Sequence, residues 1–582
     1  MGSDPAGQAD AANAGDASPE PSIAPPRITV PNAPANVREE RRENADVSEG
    51  QIWIAARTVV SFVEAIKIHQ ATTPQARSIR ARYLPREVYY TVNVVTTTLD
   101  LQPFTFIERW KAEAPDELFF ADGDTTFTFA ELHGYASQLG AALRALGMQP
   151  GDTVALDMPA GLQTLFTAGL LHEAAVSMVH PEGRSTSQSR EVNWLFTSEP
   201  ALSPSAQRTV QVDTAFLRAL GSQPPVEPRS FAFAHSLCRI TFSSGTTGVP
   251  KAIPLTIEMV HHRAAAALEL WPTSGAFLCS LGLASASGFH TLFAALKYGR
   301  LYLSAGEPEH NLAQITRYRV AAIKTSPVQL SRLIDASLAL SATAREAALG
   351  SLRQIYVAGS VVPRTLREQV EHRTQAELVT LFGSTEAGRC AQRTLHSQDA
   401  DLGNVGPAVT GTELQIVDAD DHPLPIGESG VVRYRRQYQA TEYLGDATAT
   451  AATFRGGWFY TGDLGSLNDQ GELILAGRTS ELVNAGGVKL NLSDIDEYAT
   501  AYEGVRDAAS FTYGDANQVT RVGLGVVTEP SCDLPALVRS LQQHFGASAP
   551  TTLFKLPQLP RNAGGKLNRK ALEQSFQQLG LN

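Results

Sequence analysis

The sequence predicts an α/β protein, with a large N-terminal domain of mostly parallel sheets covered by helices and a smaller α/β domain at the C-terminus. Three observations predict it. At 582 residues the chain exceeds what a single hydrophobic core supports, so it should divide into two or three domains. Short apolar runs at 300–303, 321–324, 354–357 and 378–382 alternate with helical patterns such as 363–371, the rhythm of parallel strands joined by crossover helices. After Arg478 the pattern restarts as a unit of its own.

Taken in order, residues 1–48 are rich in Ala, Pro, Asp, Glu and Asn and read as a disordered tail. No basic region leads there into an apolar run, so no secretory leader is expected. The start Met1-Gly2-Ser3 approaches a myristoylation signal, but Ala6 stands where Ser or Thr is needed. Residues 49–100 form an N-terminal extension of unknown role, whose arginines at 77–86 suit a docking patch for an acidic partner or, more commonly, a solvated helix face. The large domain is expected over 101–477. Within it Thr128-Phe129-Ala130-Glu131 has capping-box spacing, and Leu132, Tyr135, Ala136, Leu139, Ala142, Leu143 and Leu146 recur at helical intervals up to Gly147. Pro150-Gly151-Asp152 then turns the chain into a strand over 153–156. The apolar stretch 154–179 carries Asp157, Gln163, His172 and Glu173, which are costly in lipid and tolerable in a buried helix, so no membrane span is expected. The C-terminal domain is expected over 478–582.

The net charge of −11 gives no general attraction to nucleic acid, and any phosphate binding must come from local backbone nests and a few cations. The 4 cysteines, Cys238, Cys279, Cys390 and Cys532, are far apart, with no CxxC pair. Neither zinc nor a disulfide framework is expected, each cysteine reads as a small core residue, and a reducing, cytoplasmic setting fits.

The chemistry starts at Ser243-Ser244-Gly245-Thr246-Thr247-Gly248-Val249-Pro250-Lys251, which follows the apolar run 237–242. Glycines let the backbone approach an anion and present its N–H groups as a nest, while hydroxyls and an ammonium add donors. It is not the P-loop of kinases and GTPases, because Val249-Pro250 separate the last glycine from the lysine. A plain Ser/Gly/Thr surface loop is the alternative for this segment alone. Four further segments follow: 381–388 (Leu-Phe-Gly-Ser-Thr-Glu-Ala-Gly), Tyr460-Thr461-Gly462-Asp463-Leu464-Gly465, Gly477-Arg478 through Gly486-Gly487, and Pro560-Arg561-Asn562-Ala563-Gly564-Gly565-Lys566.

In this order the five segments resemble the signatures of the adenylate-forming ligases, the superfamily of acyl- and aryl-CoA synthetases, peptide-synthetase adenylation domains and luciferases. The resemblance covers the chain from about Leu101 onward. It implies ATP-dependent activation of a carboxylic acid as acyl-AMP, with release of pyrophosphate, and then thioester formation with coenzyme A. It also implies a mobile C-terminal lid, and the short interval between Pro181 and Ile240 implies a trimmed first subdomain. By resemblance, Ser243 to Gly248, with Thr246 central, and Lys251 hold the outer phosphates, and Thr385 contacts the α-phosphate. Glu386 binds Mg2+, a hard cation that takes few carboxylates. Phe382 stands where an aromatic, usually Tyr, stacks on adenine, with Gly383 beside it and Gly359 and Ser360 on the other side of the base. Asp463 accepts from the ribose hydroxyls, and Arg478 reaches ribose or phosphate. Lys566 is the catalytic lysine, a point charge between the attacking carboxylate and the α-phosphate. Gly486 and Gly487 line the tunnel for a pantetheine arm, and Ser480 is the hinge, where the family often has Asp or Lys.

The acid pocket is assigned to Ala284, Ser285, Ser287 and Val357. The segment 283–288 has no acid to pair an ammonium, which disfavours an α-amino acid. By spacing, Ala284 takes the place of a histidine common in CoA ligases, and His290 falls too late. Small residues leave room for a bulky, uncharged acyl or aryl group. Two alternatives stay open: loading of a phosphopantetheine carrier protein in place of coenzyme A, and a non-catalytic nucleotide-binding or scaffold descendant. Joint retention of Thr246, Glu386, Asp463, Arg478 and Lys566 argues against the second.

Overall fold

The computed structural model describes residues 102–179, 192–198, 206–243, 250–401, 403–485, 488–514, 520–561 and 567–579, all within one compact unit. The expectations for residues 1–100 lie outside the described residues.

The helix predicted from the capping box is present as Phe129–Ala145. Thr128 Oγ1 accepts from the Glu131 amide at 3.2 Å, and the Glu131 carboxylate accepts from the Thr128 amide at 2.8 Å. Strand Thr153–Asp157 follows, then helix Ala160–His172, whose end buries His172 and Glu173 completely. That acid is satisfied. Glu173 accepts from Arg144 Nε at 2.8 Å and lies 2.7 Å from His172 Nδ1, which is why charge is tolerated in an apolar stretch. Among the described residues no helix is long and apolar enough to cross a membrane.

Two sheets are built on parallel strands. One has the order Ala206–Gln211, Val192–Thr197, Thr153–Asp157, Val176–Met178, Leu237–Ser243, Lys251–Thr256, and only its last pairing is antiparallel. The other runs Gly388–Thr394, Glu377–Ser384, Gln354–Ala358, Val320–Thr325, Ala276–Cys279, Tyr302–Leu303, Leu118–Asp122, Thr125–Thr128, with antiparallel pairs only at its two edges. One apolar core joins them: Cys238 and Ile253 from the first and Phe277 and Tyr356 from the second meet Val260, Phe289 and Phe293 of helices Ile257–Leu268 and Ala286–Tyr298. Continuous apolar strands under helices are what a sheet buried on both faces requires.

A third sheet was not anticipated from the alternation. Strands Asn404–Pro407, Glu472–Arg478, Trp458–Leu467, Gly430–Arg436 and Thr412–Val417 pair antiparallel, with Phe454–Arg455 added to Trp458–Leu467. From Leu482 on, the strands among the described residues pair with one another: the hairpin Leu482–Ala485 and Val488–Asn491, and a sheet of Val505–Gly514, Thr520–Thr528 and Thr552–Lys555. Arg569 ties this part together, donating to Ser510 O at 2.6 Å and pairing with Asp496 at 2.7 Å and Glu481 at 3.2 Å.

The four cysteines are free, and three of them are buried. Burial pushes the Cys238 and Cys390 thiols up, Cys390 to about 12, so both stay protonated.

Candidate active site

The carboxyl ends of the parallel strands open into a cleft of ≈ 3090 Å³ between the sheets and the C-terminal segment. This is where ligands bind in sheets of this kind. Strand Leu237–Ser243 delivers Ser243 to its wall, and strand Lys251–Thr256 begins directly opposite, with Ser243 paired to Lys251. The glycine and hydroxyl-rich segment thus lies between two paired antiparallel strands. Ser244, Gly245, Thr246, Thr247 and Gly248 themselves lie outside the described residues, as do Gly486, Gly487 and Lys566.

Lys251 stands with its Nζ 4.8 Å from the centre of the Tyr443 ring, and the Tyr443 hydroxyl donates to Glu386 Oε1 at 2.8 Å. Burial, then the neighbouring Glu386 carboxylate, push the Tyr443 hydroxyl up, so it remains a donor. Glu386, 7% exposed, follows strand Glu377–Ser384 in a tight turn, where Ser384 Oγ accepts from the Ala387 amide at 3.0 Å. Gly383 has to be glycine at this turn, because a Cβ would sit 2.4 Å from Gly388 O. Arg263, from helix Ile257–Leu268, holds the turn from the other side, donating to Thr385 O at 2.7 Å and to Glu386 O at 2.6 Å. Burial lowers its guanidinium to about 10, so it stays charged. Both main-chain carbonyls are thereby occupied, and Glu386, Thr385 and Lys251 all line the cleft. A carboxylate with a hydroxyl beside it is the oxygen donor set that a hard divalent cation takes.

Gly359 and Ser360, both exposed, line the cleft past strand Gln354–Ala358. Phe382 lines it too, half-buried against Tyr434 and Phe459. Across the cleft, Asp463 and Arg478 are opposite each other in their strands, with Arg478 Nε 3.0 Å from Asp463 Oδ1. The Asp463 amide donates to Thr461 Oγ1 at 2.9 Å, so the threonine orients the turn that presents the acid. Ser480 lies on the cleft wall in the 3-10 turn Thr479–Glu481.

Of the assigned acid-pocket residues, Ala284, Ser285 and Ser287 line the cleft and Val357 does not. Val357 is fully buried with Ile355 in the core on the opposite face of its sheet, and alternation along the strand turns Ala358 to the cleft instead. Ser285 caps helix Ala286–Tyr298 by accepting from the Gly288 amide at 3.0 Å. A Cβ on Gly288 would be 1.9 Å from Gly282 O, so this turn too depends on glycine. The fully buried Arg239 pins the segment, donating to Leu283 O at 2.6 Å.

Sequence reasoning set His290 aside, yet the first turns of the helix bring it back to the cleft wall. Tyr443, Arg263 and Lys324 were also missed. Each lies outside every motif and reaches the site through a tertiary contact; the one signal was a cation in an otherwise apolar strand at Lys324.

Residues 107–444 match the protein family described as AMP-binding enzyme. This chain belongs to the AMP-binding enzyme family. It is 26% identical, over 80% of its length and 92% of the relative's, to a salicylyl-CoA synthase / salicylate adenylyltransferase of a Streptomyces species. It is 27% identical to enterobactin synthase component F of Escherichia coli (strain K12), matching 39% of that longer protein. Among solved structures it shares the fold of an anthranilate CoA ligase in complex with anthranoyl-AMP, with a TM-score of 0.70 at 21% identity over 82% of this chain and 98% of that one. The o-succinylbenzoate CoA synthetase of Bacillus subtilis in complex with its acyl-adenylate intermediate gives a TM-score of 0.69 at 22% identity, over 80% and 97% of the two chains.

Proposed function

We propose that this enzyme activates a carboxylic acid with ATP as acyl-AMP and then transfers the acyl group to coenzyme A. The observation that carries the reading is the meeting of Lys251, Tyr443, Glu386, Thr385 and the Asp463–Arg478 pair on one cleft. In the first step a carboxylate oxygen bonds to the α-phosphorus, and the bond to the bridging oxygen breaks, its electron pair leaving with pyrophosphate. Lys251 and the segment Ser243 to Gly248 neutralise the outer phosphates, Asp463 holds the ribose, and Lys566 acts as charge builds. Glu386, with Thr385 beside it in the same turn, would hold Mg2+, which would supply further charge neutralisation. Preorganised charges of this kind are each worth about a hundred to a thousandfold in rate. In the second step a thiol loses its proton as sulfur bonds to the acyl carbon, and AMP leaves.

The acceptor assignment rests on coverage. A relative named as a salicylyl-CoA synthase and one named as a naphthoate–CoA ligase are each matched over 92% of their length, whereas the enterobactin synthase component is matched over 39–41%. A phosphopantetheine carrier protein is the alternative thiol. Pyrophosphate release across aliphatic, aromatic and hydroxy acids, with and without coenzyme A, tests both steps. Thioester formed with coenzyme A supports the reading, and acid-independent pyrophosphate release with every acid tried would refute it.

A further inference from the structure

Lys324 stands near the end of strand Val320–Thr325, on the face of the sheet that carries Cys279 and Tyr356, its register neighbours, and it lines the cleft. Its ammonium makes no hydrogen bond or ion pair among the described residues. The charged groups near it supply no counter-ion. Arg389 is a like charge and is itself paired with Glu269. Glu386 is engaged by Tyr443, and Arg263 and Arg239 are cations that donate to carbonyls. Burial pushes the Cys279 thiol up, so it stays protonated, and burial also draws the Lys324 ammonium below its ordinary value. Beside this cation, on the same wall, His290 is buried with Nε2 lacking a hydrogen-bond partner among the described residues, and desolvation with the charges of Arg263, Lys324 and Arg239 keeps the ring neutral.

An uncompensated cation and an unsatisfied imidazole in one half-buried wall are costly, and natural interiors seldom retain either without a partner. They lie at the acid end of the cleft, with Ala284, Ser287, Gln329 and Ala358 on the lining around them. Ser280 occupies the nearby polar groups, since its hydroxyl donates to Thr325 Oγ1 at 2.8 Å and its carbonyl accepts from Gln329 Nε2 at 2.8 Å.

We infer that the acid bound here carries, besides the reacting carboxylate, a second acidic oxygen group, a carboxylate or a ring phenolate, which pairs with Lys324 Nζ and lies against His290 Nε2. This rests on the adenylation reading for the direction in which the acid enters, and it replaces the expectation of an uncharged acyl group. Lys324 is thus a specificity residue that binds substrate away from the reacting atoms.

The test is binding without turnover: calorimetric titration of the full-length protein, saturated with an ATP analogue bridged by methylene between the α and β phosphorus atoms. The probes are benzoate, 2-hydroxybenzoate, 2-methoxybenzoate, phthalate and its monomethyl ester. The wild type is expected to bind 2-hydroxybenzoate or phthalate at least tenfold more tightly than its methylated counterpart, and which of the two it prefers separates phenolate from carboxylate. Lys324→Met should erase that preference, while Lys324→Arg should keep it. Met replaces an unpaired buried charge by an apolar group of similar length, which spares the fold. Equal binding of acid and methylated counterpart by the wild type, no binding of any probe, or a preference that survives Lys324→Met overturns the inference. A Lys324-dependent preference with no pyrophosphate release from ATP would instead refute the proposed function and leave the pocket assignment standing.

Discussion

On the proposed function, Glu386 is the metal-binding residue, and its carboxylate accepts from Tyr443 while its carbonyl accepts from Arg263. Glu386→Gln should raise the magnesium requirement and lower kcat, since a neutral amide is a poor ligand for a hard cation. A magnesium titration at saturating ATP checks it, and an unchanged curve would remove Glu386 from the metal site. Lys566→Ala should cut adenylate formation by about a hundred to a thousandfold while ATP affinity holds, because a charge placed for the transition state contributes little to the ground state. Pyrophosphate exchange set beside ATP binding separates the two effects. A structural prediction concerns Glu173. Burial alone would push its carboxyl up, but hydrogen bonds from His172 and Arg144 outweigh this and hold it below the usual glutamate value. A depressed folded value means the stabilisation is fully present above the unfolded pKa and is lost as pH falls through the folded one. Glu173→Gln should therefore cost about 3–5 kcal/mol at neutral pH, with the gap closing in acid, as urea denaturation across pH would read. A constant gap from neutral to acid pH would contradict this.

At the scale of elements, two kinds of signal govern the local structure. Capping residues are legible one by one. Thr128 and Glu131 start helix Phe129–Ala145 by satisfying each other's amides, so Thr128→Ala should cost about 1 kcal/mol, seen as a lowered denaturation midpoint with unchanged slope. Strand faces are legible only as a pair of alternatives. Periodicity gave a strand over 354–357, but whether Val357 or Ala358 faces the cleft depends on which side of the sheet the partner helices cover. The antiparallel sheet 404–478 left a weak signal for a related reason. Its strands are half-exposed and joined by polar turns, and they pair out of sequence order, so no apolar run announces them.

At the scale of the molecule, one cleft is lined both by the large sheets and by residues beyond Arg478, so that a mutation in the latter can separate the two half-reactions. If Gly487 lines the path of a pantetheine arm, Gly487→Leu should keep acid-dependent pyrophosphate release in a single turnover and lose thioester with coenzyme A or a carrier. Equal loss of both half-reactions with an intact circular dichroism spectrum would assign Gly487 to packing alone. The sequence by itself determined the family and the mostly parallel α/β fold, because the family rests on contiguous motifs at fixed spacing and the sheets on apolar runs that alternate with helical patterns. Only the tertiary structure brought the residues outside the motifs to the cleft. Arg263, His290, Lys324 and Tyr443 come from separate helices, strands and loops, and whether a lone His, Lys or Tyr is surface, core or site depends on which charges and carbonyls the fold sets against it. Electrostatics at a few ångströms is fixed by packing, and spacing along a chain does not encode it.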